Sequence, residues 1–494
     1  MKEPSAENRL RAIAQKAMIA RGLAPDFPQD AMRQLSGIQG PARDTDHSVR
    51  DLRSGLWCSI DNDSSRDLDQ LTLAENHPSG HKVLIAIADV DALVKPASPI
   101  DGHAMANTTS VYTAARIFPM LPEKLSTDLT SLNEGQDRLA LIVEMVVNAD
   151  GVIQDSDVYR AVVNNKAKLA YPSVAAWLEH GDKMPDKVAR VPGLDGQLKV
   201  QDQIAQVLRS ARYQHGALDL RTIEPEAVFR DGEVIDLREE KKNRAQELIE
   251  DFMIAANGVT AQFLQKRGLP ALRRIVRSPK QWDRIRTVAK EFHEELPASP
   301  DPKALAAFLA RRQQADPLRF PDLSLTIIKL LGPGEYVLQL PGHDATGHFG
   351  LAVRDYGHST APNRRFPDLI TLRLLKAALA ASTPPYNATE LASLATHCTQ
   401  QEDAARKVER WLRKSAAAQF LSGQIGHTFD ALVTGASEKG TWVRLLSPPA
   451  EGRLVAGTGG VDVGDRIKVE LKSVDIDRGF VDFVRSSNNR KLGH

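Results

Sequence analysis

Cysteine is nearly missing: Cys58 and Cys398 are the only two in 494 residues. Two distant thiols build neither a disulfide framework nor a zinc site of paired-cysteine spacing. Long apolar runs are missing too, since none approaches the ~18 residues that a membrane-spanning helix requires. The N-terminal MKEPSAENRLRAIAQ lacks the apolar stretch of a secretory signal. These absences predict a cytoplasmic protein with no membrane partner, and nothing in the pattern calls for an obligate protein partner. An excess of one charge is also lacking, with 64 basic against 63 acidic residues and a net charge of +1. Basic excess is the usual mark of a nucleic-acid binder. A nuclease that gathers carboxylates for metal and arginines for phosphate can still come out neutral, so composition leaves function open.

What is present reads as a soluble chain of two or three domains, since 494 residues exceed what one core usually needs. Residues 7–20 place Leu10, Ile13, Ala14, Ala17 and Met18 at helical spacing, with Gly22 beyond. A second short helix is predicted near Pro28, carrying Met32 and Leu35. Residues 1–50 then form a small helical domain, either a helix-turn-helix relative or a cap. From 54 to 423 strand and helix patterns mix without a break. HKVLIAIADVDALV and DRLALIVEMVVN read as buried strands. AQELIEDFMIAANGVTAQFLQKRG reads as a helix with Leu248, Phe252, Ala255, Val259 and Phe263 on its apolar side and Gly268 as its stop. FPDLITLRLLKAALAA and QEDAARKVERWLRKSAAAQFL read as two more. Residues 426–485 turn to short alternating strands split by glycines, which fits a closed barrel of the OB type or a small β-sandwich. Residues 486–494 are a tail. The fold class expected is α+β, with a mixed sheet in the large middle domain.

The most informative stretch is WCSIDNDSSRDLDQLTLAE. An apolar strand delivers Asp61, and Asp67 and Asp69 sit two apart at the start of the next strand pattern, where alternation puts them on one face. Three like charges so close repel unless cations neutralise them. An all-oxygen ligand set suits magnesium or manganese. A solvated acidic loop is the bland alternative. A calcium loop would need glycine where Arg66 stands and glutamate where Thr72 stands, so that motif fails.

Asp-x5-Asp-x-Asp is followed by IAIADVDALVKPASPID and TTSVYTAARIFPMLPEKLSTDLTSLNEGQDRLAL. NKAKLAYPSVAAWL, AQELIEDFMIAAN and GHFGLAVRDYGHSTAPNRRFPDLITLRLLKA come next, spanning most of residues 54–380. In this order the blocks resemble the catalytic (RNB) domain of the ribonuclease II family, which encloses the 3′ end of single-stranded RNA in a narrow channel. The resemblance implies a metal-dependent 3′-to-5′ exoribonuclease that releases nucleoside 5′-monophosphates by two-metal hydrolysis, with Mg2+, or Mn2+, as cofactor. It implies metal binding by Asp61, Asp67 and Asp69, with Gln70 standing where the family has a fourth aspartate. Asp69 and Arg364 take the catalytic roles. Arg364 would meet the phosphate oxygens, with Arg365 beside it. Tyr112 would pack on the terminal base, and Tyr171 and Glu250 would help select ribose. Glu247, Glu250 and Asn257 form a polar strip at helical spacing, which the residues alone would assign to solvent. Leu220 stands where some relatives carry an aromatic clamp. About fifty residues precede the first block, so within this chain the resemblance predicts a single OB module, at the C-terminal end. Two rivals remain: an RNA-binding protein on a degenerate nuclease scaffold, motivated by Gln70 and Leu220, and a dedicated trimmer of RNA 3′ ends.

Overall fold

The computed structural model describes residues 5–44, 46–239, 241–343, 347–437 and 440–486. The expected tail thus lies outside the described residues beyond Ser486. The architecture is mixed helix and sheet, with a closed five-stranded barrel at the C-terminal end.

A seven-stranded sheet is the centre. Its spatial order is Arg50–Asp51, Ile153–Asn164, Asp137–Val147, Gly80–Ala88, Gln70–His77, Cys58–Asp61 and Ala167–Ala170. The inner pairings are antiparallel, whereas the two outermost, 50–51 with 153–164 and 58–61 with 167–170, are parallel. Val83 to Ala88 are all buried, so both sheet faces are covered there, which is why this strand reads as a continuous apolar run. The helices Leu194–Gln214, Arg244–Lys266 and Phe366–Leu379 pack on the sheet. The 244–266 helix starts at a capping box between Asn243 and Gln246 and buries Leu248, Phe252 and Val259 as expected. Gly268 follows it in the left-handed region at φ 67°, where glycine carries no steric cost.

Three expectations need correction. Met32 is 46% exposed, because the buried face of the Gln29–Gly37 helix runs through Ala31 and Leu35, one turn apart. The long helix before the barrel begins at Ala388, capped by Asn387 and Glu390. Its early buried positions are mostly small (Ala395, Cys398, Ala405), so the apolar stripe is faint in sequence. The strand after the acidic loop begins at Gln70. Asp67 and Asp69 therefore precede it, and they do not share one environment: Asp69 is 1% exposed while Asp67 is half-buried.

The first helix, Ala6–Ala20, packs on the Ala388–Leu421 helix and behind the hairpin Val111–Tyr112/Ile117–Phe118, while the second packs on the Pro99–Asn107 helix. Each docks on the large body. The barrel strands are Thr428–Ser437, Gly440–Leu445, Glu451–Ala456, Arg466–Asp475 and Phe480–Arg485. Its core, with Val433, Val443, Leu471 and Phe483, also takes in Leu237 and, from the long helix, Ala418 and Leu421. Among the described residues no helix is long and apolar enough to cross a membrane.

Candidate active site at the edge of the central sheet

Strand Cys58–Asp61 ends on Asp61, whose register partner is Ala170 on the parallel edge strand. Tyr171, the next residue, opens the helix Tyr171–His180. Strand pairing thus sets the Tyr171 backbone beside that of Asp61. Asp61 Oδ1 accepts from the Asn62 amide at 2.7 Å and the Ser65 hydroxyl at 2.9 Å. Burial, with the Asp67 charge as a smaller contribution, holds its carboxyl above the ordinary range.

Asp69 is the buried centre. Its Oδ1 accepts from the Asn363 amide at 2.8 Å, and its Oδ2 from Arg364 Nε at 3.0 Å. Burial pushes its pKa up to about 7 even with Arg364 pulling it down. A carboxylate so desolvated is relieved by a second positive charge. Asp67 Oδ2 takes the Tyr112 hydroxyl at 3.3 Å, and the Tyr112 amide donates to Glu409 Oε1 of the long helix at 3.0 Å. Tyr112 remains 42% exposed, leaving ring surface free to be covered. Gln70 is buried and opens the strand next to Asp69, its backbone paired with Ile87.

Asp61, Asp67, Asp69, Tyr112 and Arg364 are therefore one electrostatic cluster. Among the described residues no three His, Cys, Asp or Glu side chains are grouped so that they could hold a metal ion together, so Asp61, Asp67 and Asp69 do not form a three-carboxylate site by themselves. The donor set still fits a hard cation, because magnesium keeps several waters and binds through one or two carboxylates plus substrate phosphate.

Other expected residues have different partners. Arg365 Nη2 bonds Asp368 Oδ1 at 2.7 Å, in the first turn of the following helix, rather than Asp69. Glu250 is ion-paired with Lys242. The strip expected to face solvent is not solvated as a unit: Glu247 pairs with Arg209, and Asn257 is buried against Ser359. Leu220 packs against the core of Trp282, Phe308 and Phe320.

Sequence reasoning missed the supports. Asn363, which holds Asp69 through its backbone, carries no signal of its own. Asp89 and Asp91 do carry one. They pair with Lys376 at 2.8 and 2.7 Å, and Asp91 also takes Arg373 Nε at 3.1 Å. Two cations three residues apart in the apolar helix FPDLITLRLLKAAL demand buried acids, and IADVD offers them.

Comparison with known proteins accounts for this arrangement. The RNB domain matches residues 49–381, and the RNase II-type exonuclease C-terminal S1 domain matches residues 427–486. The chain belongs to the RNB-domain family. RNB nucleases as a family depend on a divalent metal. Ribonuclease R of Escherichia coli K12 is 30% identical over 94% of this chain and 61% of its own length. Ribonuclease R of Thermotoga maritima is 30% identical over 93% of this chain and 68% of its own length. The chain thus spans a little over 60% of the length of the first of these relatives. The fold is shared with Mycoplasma genitalium RNase R, solved in complex with ribose-methylated single-stranded RNA. That match has a TM-score of 0.86 at 22% identity, covering 98% of this chain and 78% of that one.

Proposed function

We propose that this chain is a hydrolytic exoribonuclease. It shortens single-stranded RNA from the 3′ end to nucleoside 5′-monophosphates, with magnesium, or manganese, as cofactor. The observation that supports this best is Asp69, a buried carboxylate braced by Arg364 and the Asn363 amide, with Asp67 close enough to push its pKa up further. When bound, two divalent cations supply activation of the attacking water and stabilisation of the departing 3′ oxygen. Asp61, Asp67 and Asp69 would hold them, with the Gln70 amide in the fourth place. Arg364 spends Nε on Asp69 and turns the rest of its fork to the non-bridging phosphate oxygens, where charge develops. The Tyr112 ring stacks on the terminal base, and Tyr171 and Glu250 read the ribose. Arg365, bound to Asp368, is assigned to holding the helix start.

In this reading residues 54–423 are the catalytic domain, 1–50 a cap upon it, and 426–485 a barrel that holds upstream nucleotides. Gln70, which lacks a charge, and Leu220, which is packed in a helical core, favour a second reading, an RNA binder that does not cut. A 5′-labelled single-stranded RNA, incubated with and without magnesium, separates them. A metal-dependent ladder shrinking from the 3′ end supports the nuclease, and selective removal of a few nucleotides supports a trimmer. Retention without cleavage makes the chain a binder and overturns the proposal.

A further inference from the structure

The helix Arg244–Lys266 carries a buried amide with no role so far. Asn257 is 2% exposed, and burying a carboxamide is costly unless its hydrogen bonds are made. They are made to one segment. Asn257 Oδ1 accepts from the Ser359 amide at 2.8 Å and from the Ser359 hydroxyl at 2.9 Å. The Ser359 hydroxyl also lies 2.9 Å from the Thr260 hydroxyl, one turn on along the same helix, and the Asn257 carboxamide hydrogen-bonds the Tyr356 side chain.

Ser359 opens the stretch STAPNRR that carries Arg364. After Ser359 the Ala361 amide is held by Asp368 Oδ1 at 2.8 Å, and the Asn363 amide and Arg364 Nε are held by Asp69 at 2.8 and 3.0 Å. The stretch is therefore pinned at its start by a helix and at its end by the catalytic carboxylate. Glu250 lies seven residues before Asn257, about two turns, so both project from nearly the same helix face. A carboxylate proposed to read ribose and the anchor of the arginine segment share one rigid element.

We propose that Asn257 is a positioning residue: its carboxamide fixes the start of the 359–365 segment and thereby sets the Arg364 guanidinium against Asp69 and the scissile phosphate. This rests on the exoribonuclease reading above. A displaced arginine costs turnover and leaves RNA binding in place, because phosphate charge stabilisation belongs to the transition state.

The test uses the full chain with Asn257→Ala, Asn257→Asp and Ser359→Ala, each checked for thermal unfolding. Asn257→Ala is expected to lower single-turnover cleavage by about 10- to 100-fold, with RNA affinity within about twofold of wild type. Asn257→Asp keeps the acceptor for Ser359 and should recover most of the rate, while Ser359→Ala, which keeps its amide bond, should fall between. In an Arg364→Ala background, Asn257→Ala should add less than about twofold, since both act through one group. Equal losses in both backgrounds, or a normal rate in Asn257→Ala, overturn the proposal. A second readout needs no activity: amide hydrogen exchange across 359–365 should quicken in Asn257→Ala, or in Ser359→Ala where the alanine does not fold. Unchanged exchange overturns the positioning role. A wild type that cuts no RNA, with faster exchange in the variant, removes the nuclease reading and leaves the pinning of the segment standing.

Discussion

At Gln70 a carboxamide stands where the resemblance places a carboxylate, one bond from the most buried acid of the site. An amide oxygen still ligates or orients a metal-bound water, but it brings no charge to offset a divalent cation. At close range one lost charge weakens a cation by several kcal/mol before water relaxes the effect, on the order of 4 kcal/mol per unit of cation charge at about 4 Å and an effective dielectric of about 20. The expected outcome is an active enzyme with a high metal requirement. Gln70→Asp should lower the magnesium concentration for half-maximal rate with a smaller change in saturated turnover. Coincident metal titrations of the two proteins would place Gln70 outside the metal shell. In the proposed reading Glu250 and Tyr171 serve a different task, the reading of the sugar. Glu250→Ala should narrow the rate ratio between matched RNA and DNA oligonucleotides, and an unchanged ratio in both single mutants would move sugar reading elsewhere.

Among the elements, the helix Phe366–Leu379 follows directly on Arg364 and Arg365. Arg373 is 3% exposed and reaches Asp91, Asp101 and the Val94 carbonyl at 3.1, 2.7 and 2.7 Å. Removing one partner of such a group leaves buried charge uncompensated, at about 3–5 kcal/mol. Arg373→Ala should therefore shift the chemical unfolding transition of the large body by that amount, and a variant as stable as wild type would show the network to be dispensable. Legibility in sequence followed the same division. The strand Gly80–Ala88, the helix Arg244–Lys266 and the barrel were readable because apolar period and glycine punctuation are local signals. Asp61, Asp67 and Asp69 stood out by the resemblance, and the structure brings all three within the field of Arg364, though not on one strand face as their spacing suggested. The start of the long helix at Ala388 was not readable, since small residues on its buried side blur the period. Nor were Asn363, Asp368 and Asn257, whose contacts join segments that meet only after the chain folds. Arg365 reads like Arg364 in sequence, and only the folded chain separates their partners, Asp368 for the one and Asp69 for the other.

For the molecule as a whole, the barrel is not an appendage. Its core continues into Leu237, Ala418 and Leu421 of the large body, and Arg444 pairs with Asp322 at 2.8 Å across the junction. Cutting the chain at 426 would uncover that apolar surface, so a point change is the cleaner probe of its role. Trp442 is 38% exposed and pairs across the strands with Arg453, a stacking face beside a cation. Base stacking is worth ~1–3 kcal/mol per base. Trp442→Ala should weaken binding of long RNA by about 5- to 150-fold on that scale while sparing very short substrates. Equal losses on both would contradict a barrel that holds only upstream nucleotides. The central claim is that Asp69 serves hydrolysis at the RNA 3′ end, and one measurement tests it most directly: 5′-labelled single-stranded RNA with saturating magnesium, wild type beside Asp69→Asn, with binding followed in parallel. The expected result is a ladder shrinking from the 3′ end with wild type, none with Asp69→Asn, and RNA affinity little changed. A mutant that degrades the RNA at a near-normal rate would contradict the claim.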